Sequence, residues 1–240
     1  MLGNKERMTT ISILQPHYLP WTGYFNLIAR SDIFVFLNDV EFTVGEWKNR
    51  NKIRKTSVSK ETKWLSVPVG RKNHFSLLMN CDIADQNNWR EKHLRSIYET
   101  YKKAPFFEMY FFEIEKLLIN RDLNILSHLN IKLIDLFCTF FSIDTKKVLS
   151  SDLDCEGDKH SKPLMICKKL NCDRYLATSK SSEYIEIEEY ELNNISVEFQ
   201  NFNHKNYDQF YDGEKLEPIN YLSVLDLLFN QGPESKKYII

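Results

Sequence analysis

Glycine is scarce in this chain, with seven in 240 residues, and no cluster of them forms a loop that could wrap a phosphate. An excess of one charge is missing as well. Lys and Arg total 32 against 33 Asp and Glu, leaving a net charge of -1. No global field therefore draws the chain to nucleic acid or to an anionic membrane. Long apolar runs are absent, since none approaches the ~18 residues of a membrane span. The opening MLGNKERMTT carries two basic residues with no apolar run behind them, so a secretory leader is not expected. Cysteine is present but unpatterned. Cys81, Cys138, Cys155, Cys167 and Cys172 are odd in number and widely spaced, which suits free thiols in a reducing cytoplasm. Cys167 and Cys172 lack the spacing and context of a zinc knuckle, so no metal site is expected. No cysteine has a histidine in a nearby turn, and Cys138 and Cys167 fall on apolar helix faces, where thiols are inert. No cofactor motif is found.

What the chain does have is material for a core. Hydrophobic residues make up 42% and aromatics 13% of it. The length predicts a single α/β domain over 1–240, with a helical insertion at about 88–142. Residues 11–14 (ISIL) read as a buried strand, 22–30 as a helix, and 32–37 (DIFVFL) as a second strand. Strand, turn, helix, strand in so short a span is a βαβ unit, and it implies a mostly parallel, Rossmann-like sheet with flanking helices. WLSVPV (64–69) reads as a strand that Pro68 places at an edge. The middle third reads as helices over 88–101, 106–119 and 122–141, the first capped by Asn87 or Asn88. The third of these is apolar round most of its circumference, so it is either buried or paired with another subunit, a possible route to a homo-oligomer. The last third returns to alternation: strands at 147–150, 174–178 and 196–200, helices at 162–170 and 222–230. The acidic run IEIEEYE (185–191) reads as a solvated edge or helix face.

In an open parallel sheet, ligands bind at the carboxyl ends of the strands. Four polar turns follow predicted strands, and each has two readings. His17, in the QPHYLPWTGY turn, is either a turn histidine packed on Trp21 or a general acid/base held in place by Pro16 and Pro20. Trp21 and Tyr24 would wall such a pocket, or simply staple the helix. Asp39 and Glu41 would share one face about 7 Å apart if the second strand runs on. They are then either exposed carboxylates, or an orienter of His17 and a site for a cation or amine. EWKNRNKIR places Arg50 and Arg54, and Lys48 and Lys52, at helical spacing. That face either is solvated or holds a phosphate or carboxylate. Ser179 and Lys180, in TSKSS, either cap a helix or cradle a phosphate. His204 has the same two readings as His17.

The blocks LQPHYLPWTGYFNLI, SDIFVFLNDVEF, EWKNRNKI, WLSVPV, YKKAPFF, RYLATSKSSEY, HKNYDQFY and LSVLDLLFNQG, in that order from about residue 11 to 232, resemble the WbqC-like family. By that resemblance Gln15, His17, Pro20, Trp21, Gly23, Tyr24, Asp39, Asn49, Arg50, Asn51 and His204 fall on motif positions. The chain departs from the pattern at Glu41, where glutamine is usual, and at Asn38, where aspartate is. It departs again at ATSKSS, which replaces a glycine-containing turn. The family occurs in gene clusters for bacterial O-antigen and other surface polysaccharides, and a member has been suggested to transfer glycine to a sugar. The resemblance thus implies a cytoplasmic transferase that moves an aminoacyl or acyl group onto an amino sugar or nucleotide-linked sugar. Its donor is unspecified, and an aminoacyl-tRNA is the one nucleic acid it leaves open. In that scheme His17 and Asp39 are catalytic. Gln15, Tyr18, Trp21, Tyr24, Glu41, Asn49, Arg50, Asn51, Ser179, Lys180 and His204 bind substrate. A looser likeness to the strand-turn-helix of nucleotidyltransferases and class I synthetases suggests nucleotidyl or adenylate transfer, although both signature histidines are missing. The third expectation is a non-catalytic partner of a polysaccharide enzyme.

Overall fold

The computed structural model describes residues 8–70 and 76–240. They gather into two compact units, neither continuous in sequence. The first takes the chain up to Leu14, Leu27–Leu37 and Thr145–Phe202. The second takes Gln15–Asn26, Asn38–Asp144 and Asn203–Ile240.

The first unit is built on a five-stranded, wholly parallel sheet. Its strands, numbered in chain order, are β1 (Thr10–Leu14), β2 (Ile33–Phe36), β5 (Lys146–Leu149), β6 (Arg174–Ala177) and β7 (Ser196–Phe199), lying in the order β5-β2-β1-β6-β7. The α/β class and parallel sheet expected from the sequence are therefore present. Both faces of β1 are covered, since Thr10, Ile11, Ser12 and Ile13 are all buried, as befits a central parallel strand. The polar member of that run is satisfied: Ser12 donates to the Leu176 carbonyl at 2.8 Å and accepts from Ser31 at 2.7 Å. Two carboxylates anchor the start of β1, Asp32 accepting from the Thr10 amide and Asp173 from the Thr9 amide. Helix α5 (Ser161–Lys169) joins β5 to β6, and α6 (Ile187–Glu191) joins β6 to β7. Pro163 stands in the first turn of α5, where its missing N–H costs nothing. Ile11, Ile13, Val35, Ile166, Cys167 and Tyr175 share one core cluster. Chain order runs outward from β1 to β2 and β5, then resumes at β6 on the other side of β1. The topological switch point of the sheet is thus at the ends of β1 and β6.

The second unit is mainly helical, with two antiparallel ribbons. It holds α2 (Trp89–Tyr101), α3 (Phe107–Ile119), α4 (Leu126–Phe140) and α7 (Val224–Gln231), close to the helices expected from periodicity. The ribbons are β3 (Arg50–Arg54) with β4 (Thr62–Ser66), and β8 (Gln209–Tyr211) with β9 (Glu214–Leu216). Helix α1 (Thr22–Ala29) begins in this unit and ends in the other. On α4, Leu126, Leu129, Leu133, Ile134 and Phe137 are buried, and Phe137 meets Phe25 edge-on at 5.9 Å. The stripe that suggested either burial or a partner is largely buried within its own unit.

Four local expectations need correction. The EWKNRNKIR segment is a strand from Arg50, not a helix, so Arg50, Lys52 and Arg54 share a face by alternation rather than by helical turns. The strand read at 64–69 lies at 62–66, and it pairs with β3 rather than joining the parallel sheet. Strand β2 stops at Phe36, so Asp39 and Glu41 are not consecutive same-face strand positions. Asp39 sits in a bend, and Glu41 makes an isolated bridge to Leu77. Asn88 precedes α2 in the left-handed conformation (φ 48°), and its side chain makes no capping bond.

Candidate functional site

The QPHYLPWTGY turn is tied down from four directions within the second unit. Asn130, fully buried on α4, donates its amide to the Pro16 carbonyl at 2.9 Å and to the Lys48 carbonyl at 2.7 Å. Asn51 donates to the Leu19 carbonyl at 2.6 Å, and the Tyr18 amide donates to the Trp47 carbonyl at 3.0 Å. The Val224 amide donates to the Pro20 carbonyl at 2.8 Å. The Tyr24 hydroxyl reaches back from α1 to the Gln15 carbonyl at 3.0 Å. Gly23 is required here. The Trp21 indole lies over it so closely that a Cβ would come within 2.3 Å of the ring. The turn is fixed by these bonds as well as by its prolines, as a preorganised site requires.

His17 is partly buried, with its ring 5.2 Å from that of Tyr24 and tilted by 46°. Burial, followed by the positive charge of Lys48, depresses its pKa to about 3. The imidazole is therefore neutral throughout the physiological range. Among the described residues, no hydrogen bond joins it to Asp39 or to any other group, and Lys48 is the charge it feels. Lys48 is itself buried, with its ammonium 2.7 Å from the Glu46 carboxylate. One acceptor in this neighbourhood is unused: Asn130 Oδ1 is buried with no hydrogen-bond partner. Asn49 Oδ1 is in the same condition, while its amide donates to Val67 at 3.1 Å. Burial also holds the Tyr24 phenol well above its ordinary pKa. Tyr18 donates to, or accepts from, His93 Nδ1 at 2.8 Å, and burial lowers the His93 pKa to about 4.

Most of the expected residues thus stand in connected structure. Gln15, His17 and Tyr24 are linked in the turn, and Asn51 and Asn130 tie that turn to the segment holding Lys48 and Asn49. Arg50 begins β3, with its guanidinium 4.3 Å from the centre of the Trp64 ring. The Trp21 ring lies 5.7 Å from that of Tyr221, tilted by 48°, and Tyr221 lies 5.0 Å from His204. The Nδ1 atom of His204 is buried without a partner. Asp39 and Glu41 lie in the turn clamped to Leu77–Met79 by backbone bonds, and Glu41 is exposed. Ser179 and Lys180 belong to the sheet unit, in the loop after β6. The hydroxyls of that loop are already engaged: Ser179 donates to the Gln200 carbonyl just after β7, Ser182 to the Ser179 carbonyl, and Ser181 contacts Thr178 and Tyr184. Lys180 is exposed.

Sequence reasoning read Lys48 only as one cation of a face shared with Lys52, and it missed Asn130 and Glu46 as site groups. Asn130 carried a signal. It is a lone amide on the stripe Leu126, Leu129, Asn130, Leu133, Ile134, Phe137, where burial demands a hydrogen-bonding reason. The burial of Lys48 against Glu46 carried none, because only the fold turns one inward and leaves the other half out. Among the described residues, no three His, Cys, Asp or Glu side chains gather closely enough to hold a metal ion. Nor is any helix among them long and apolar enough to cross a membrane.

The chemistry available is that of a neutral nitrogen base, a buried ammonium and an unused amide carbonyl, all beside a rigid turn. Comparison with known proteins bears on this segment directly. The sequence pattern of the WbqC-like protein family matches residues 15–238, from the first residue of the turn almost to the end of the chain. The uncharacterized protein Rv1507c of Mycobacterium tuberculosis is 28% identical over 233 residues, which cover 97% of this chain and 98% of that one. No solved structure matches the chain significantly.

Proposed function

The chain belongs to the WbqC-like protein family, and from that premise we propose that it is a transferase of bacterial surface-polysaccharide (O-antigen) synthesis. It adds an aminoacyl group such as glycyl, or another acyl group, to the amine of an amino sugar or nucleotide-linked amino sugar. The observation that carries the reading is the His17 turn itself, fixed by Asn130 and Asn51 through the Pro16 and Leu19 carbonyls, with Lys48 on the segment that Asn130 ties to it.

The step is amide formation. The sugar amine attacks the carbonyl carbon of an ester or thioester donor, a C–N bond forms, and the donor's C–O or C–S bond breaks. Attack makes the nitrogen cationic, and a neutral base must take its proton before or as the leaving group departs. His17 is always in the unprotonated form that this task needs, although its low pKa makes it a weak base. Lys48 opposes the negative charge that develops on the carbonyl oxygen. The proton taken by His17 then goes to the leaving oxygen or sulfur. Asp39, which has no bond to the ring, is reassigned from orienting His17 to contacting substrate at the rim.

Incubating purified protein with dTDP-linked amino sugars and a panel of aminoacyl and acyl donors tests this, with mass spectrometry of the sugar as the readout. An adduct formed by wild type and lost in Lys48→Met supports it. No adduct with any pair opposes it. One observation favours a second reading, adenylate or nucleotidyl transfer: the two cations Arg50 and Lys52 of β3 have no acidic partner among the described residues. ATP-dependent release of pyrophosphate without any acyl donor would select that reading.

A further inference from the structure

The exposed face of the β3–β4 ribbon combines charge and aromatic surface in a way that the transfer chemistry does not use. The register pairs Arg50 with Ser66 and Lys52 with Trp64. Alternation therefore puts Arg50, Lys52 and Trp64 on one face, while Asn51, Ile53 and Leu65 point to the other and are buried. Trp64 is 42% exposed and Trp47 is 43% exposed, and their rings lie 5.5 Å apart, tilted by 45°. The Arg50 guanidinium is 4.3 Å and the Lys52 ammonium 4.8 Å from the centre of the Trp64 ring. Both cations are thus held by one indole rather than left to wander in solvent.

What marks the two cations out is that one indole holds both, while neighbouring lysines are neutralised by carboxylates. On the same ribbon Lys55 pairs with Glu61 and Lys60 with Glu217, and just before it Lys48 pairs with Glu46. Among the described residues, neither Arg50 nor Lys52 has a carboxylate partner, and Arg50 Nε is buried with no acceptor. Two fixed, unpaired cations call for an anion carrying at least two charges. A bare anion would leave two half-exposed indoles without purpose. A polynucleotide is disfavoured by the net charge of -1 and by the single short strand of cations.

We propose that this face is the seat of a nucleoside diphosphate, the carrier end of the nucleotide-linked sugar in the reading above, on which the inference rests. Arg50 and Lys52, laid on Trp64, take the two phosphates. Arg50 supplies the planar fork suited to phosphate oxygens, and Lys52 supplies a point charge. Trp47 stacks on the base.

The test is titration of the full chain with dTDP and UDP, read by tryptophan fluorescence and calorimetry, with thymidine and inorganic pyrophosphate as separate arms. The expected result is saturable binding of the nucleoside diphosphates that weakens as salt rises. Trp47→Ala weakens dTDP about tenfold or more and leaves pyrophosphate unchanged, while Trp47→Phe retains binding. Lys52→Gln weakens dTDP and pyrophosphate alike. Absence of dTDP binding by wild type overturns the inference. So does an unchanged dTDP affinity in both Trp47→Ala and Lys52→Gln, with folding verified by circular dichroism, or binding of an acidic peptide in place of dTDP. Failure here is distinguishable from failure of the transfer reading. Transfer to a free amino sugar without dTDP binding removes only the ribbon site. Binding of dTDP that depends on Trp47 and Lys52, without any transfer, upholds the ribbon site and removes the transferase.

Discussion

At the scale of single residues, the central fact is that two histidines are held neutral by burial. The His17 pKa falls to about 3 and that of His93 to about 4. A histidine whose folded pKa lies below its unfolded value of about 6.5 binds its proton only on unfolding in acid. Its contribution to stability is complete above that value and is lost as pH falls toward the folded pKa. Each such group then adds a slope of at most about 1.4 kcal/mol per pH unit. Urea titrations of His17→Gln between pH 4 and 6.5 are expected to show a shallower loss of stability toward acid than wild type. Equal slopes would show that the ring is accessible to protons in the folded state. Asn130 gives a second prediction. Its amide satisfies two backbone carbonyls at once, Pro16 and Lys48. Asn130→Ala leaves both buried and unpaired, at a cost of about 2–4 kcal/mol, measurable by chemical denaturation. Asn130→Leu, filling the volume without the donor, is expected to recover little of it.

At the scale of elements, α7 is organised round a buried carboxylate. Asp226 accepts from the Tyr207 hydroxyl at 2.9 Å and from the Tyr101 hydroxyl at 3.0 Å. Arg54 of β3, almost wholly buried, donates to Gln209 and to the carbonyls of Ser59 and Glu217. Burial raises the Asp226 pKa to about 6 against the lowering effect of its hydrogen bonds and of Arg54. An acid with a raised folded pKa has the opposite sign to His17. Its stabilising contribution is complete below about pH 4 and is lost as pH rises to about 6. The stability of wild type minus that of Asp226→Asn should fall by up to about 1.4 kcal/mol per pH unit across that window. A flat difference would place the carboxylate in contact with water.

Elements of this kind also show what the sequence could and could not reveal. The sheet strands and the long helices were legible because period-two and period-3.6 patterns report burial directly. EWKNRNKIR was misread because cations four apart satisfy a helical face and a strand face equally. Only the partner strand, with Trp64 opposite Lys52, decides between them. The candidate site was half legible. His17 and its turn stand out by chemistry alone, since prolines, an aromatic cluster and a titratable ring are crowded into one turn. Lys48 shows only as one cation of a basic face and Asn130 only as a lone amide on an apolar stripe, because the bond between them joins segments 82 residues apart that meet only in the fold.

At the scale of the molecule, α4 uses its apolar stripe inside its own unit, which removes the main reason to expect self-association through residues 122–141. Light scattering is therefore expected to give a mass near the 28.6 kDa of one chain. A dimer that Leu136→Asp dissociates would reinstate pairing through that helix. The account as a whole depends on whether the turn after β1 transfers a group to an amine. The most direct measurement is the rate of acyl- or aminoacyl-amide formation on an amino-sugar nucleotide, compared between wild type and His17→Gln from pH 5 to 9. The predicted result is at least a hundredfold loss in the variant, and a wild-type profile with no acid limb near 6.5 attributable to His17. Full activity in His17→Gln would contradict the account.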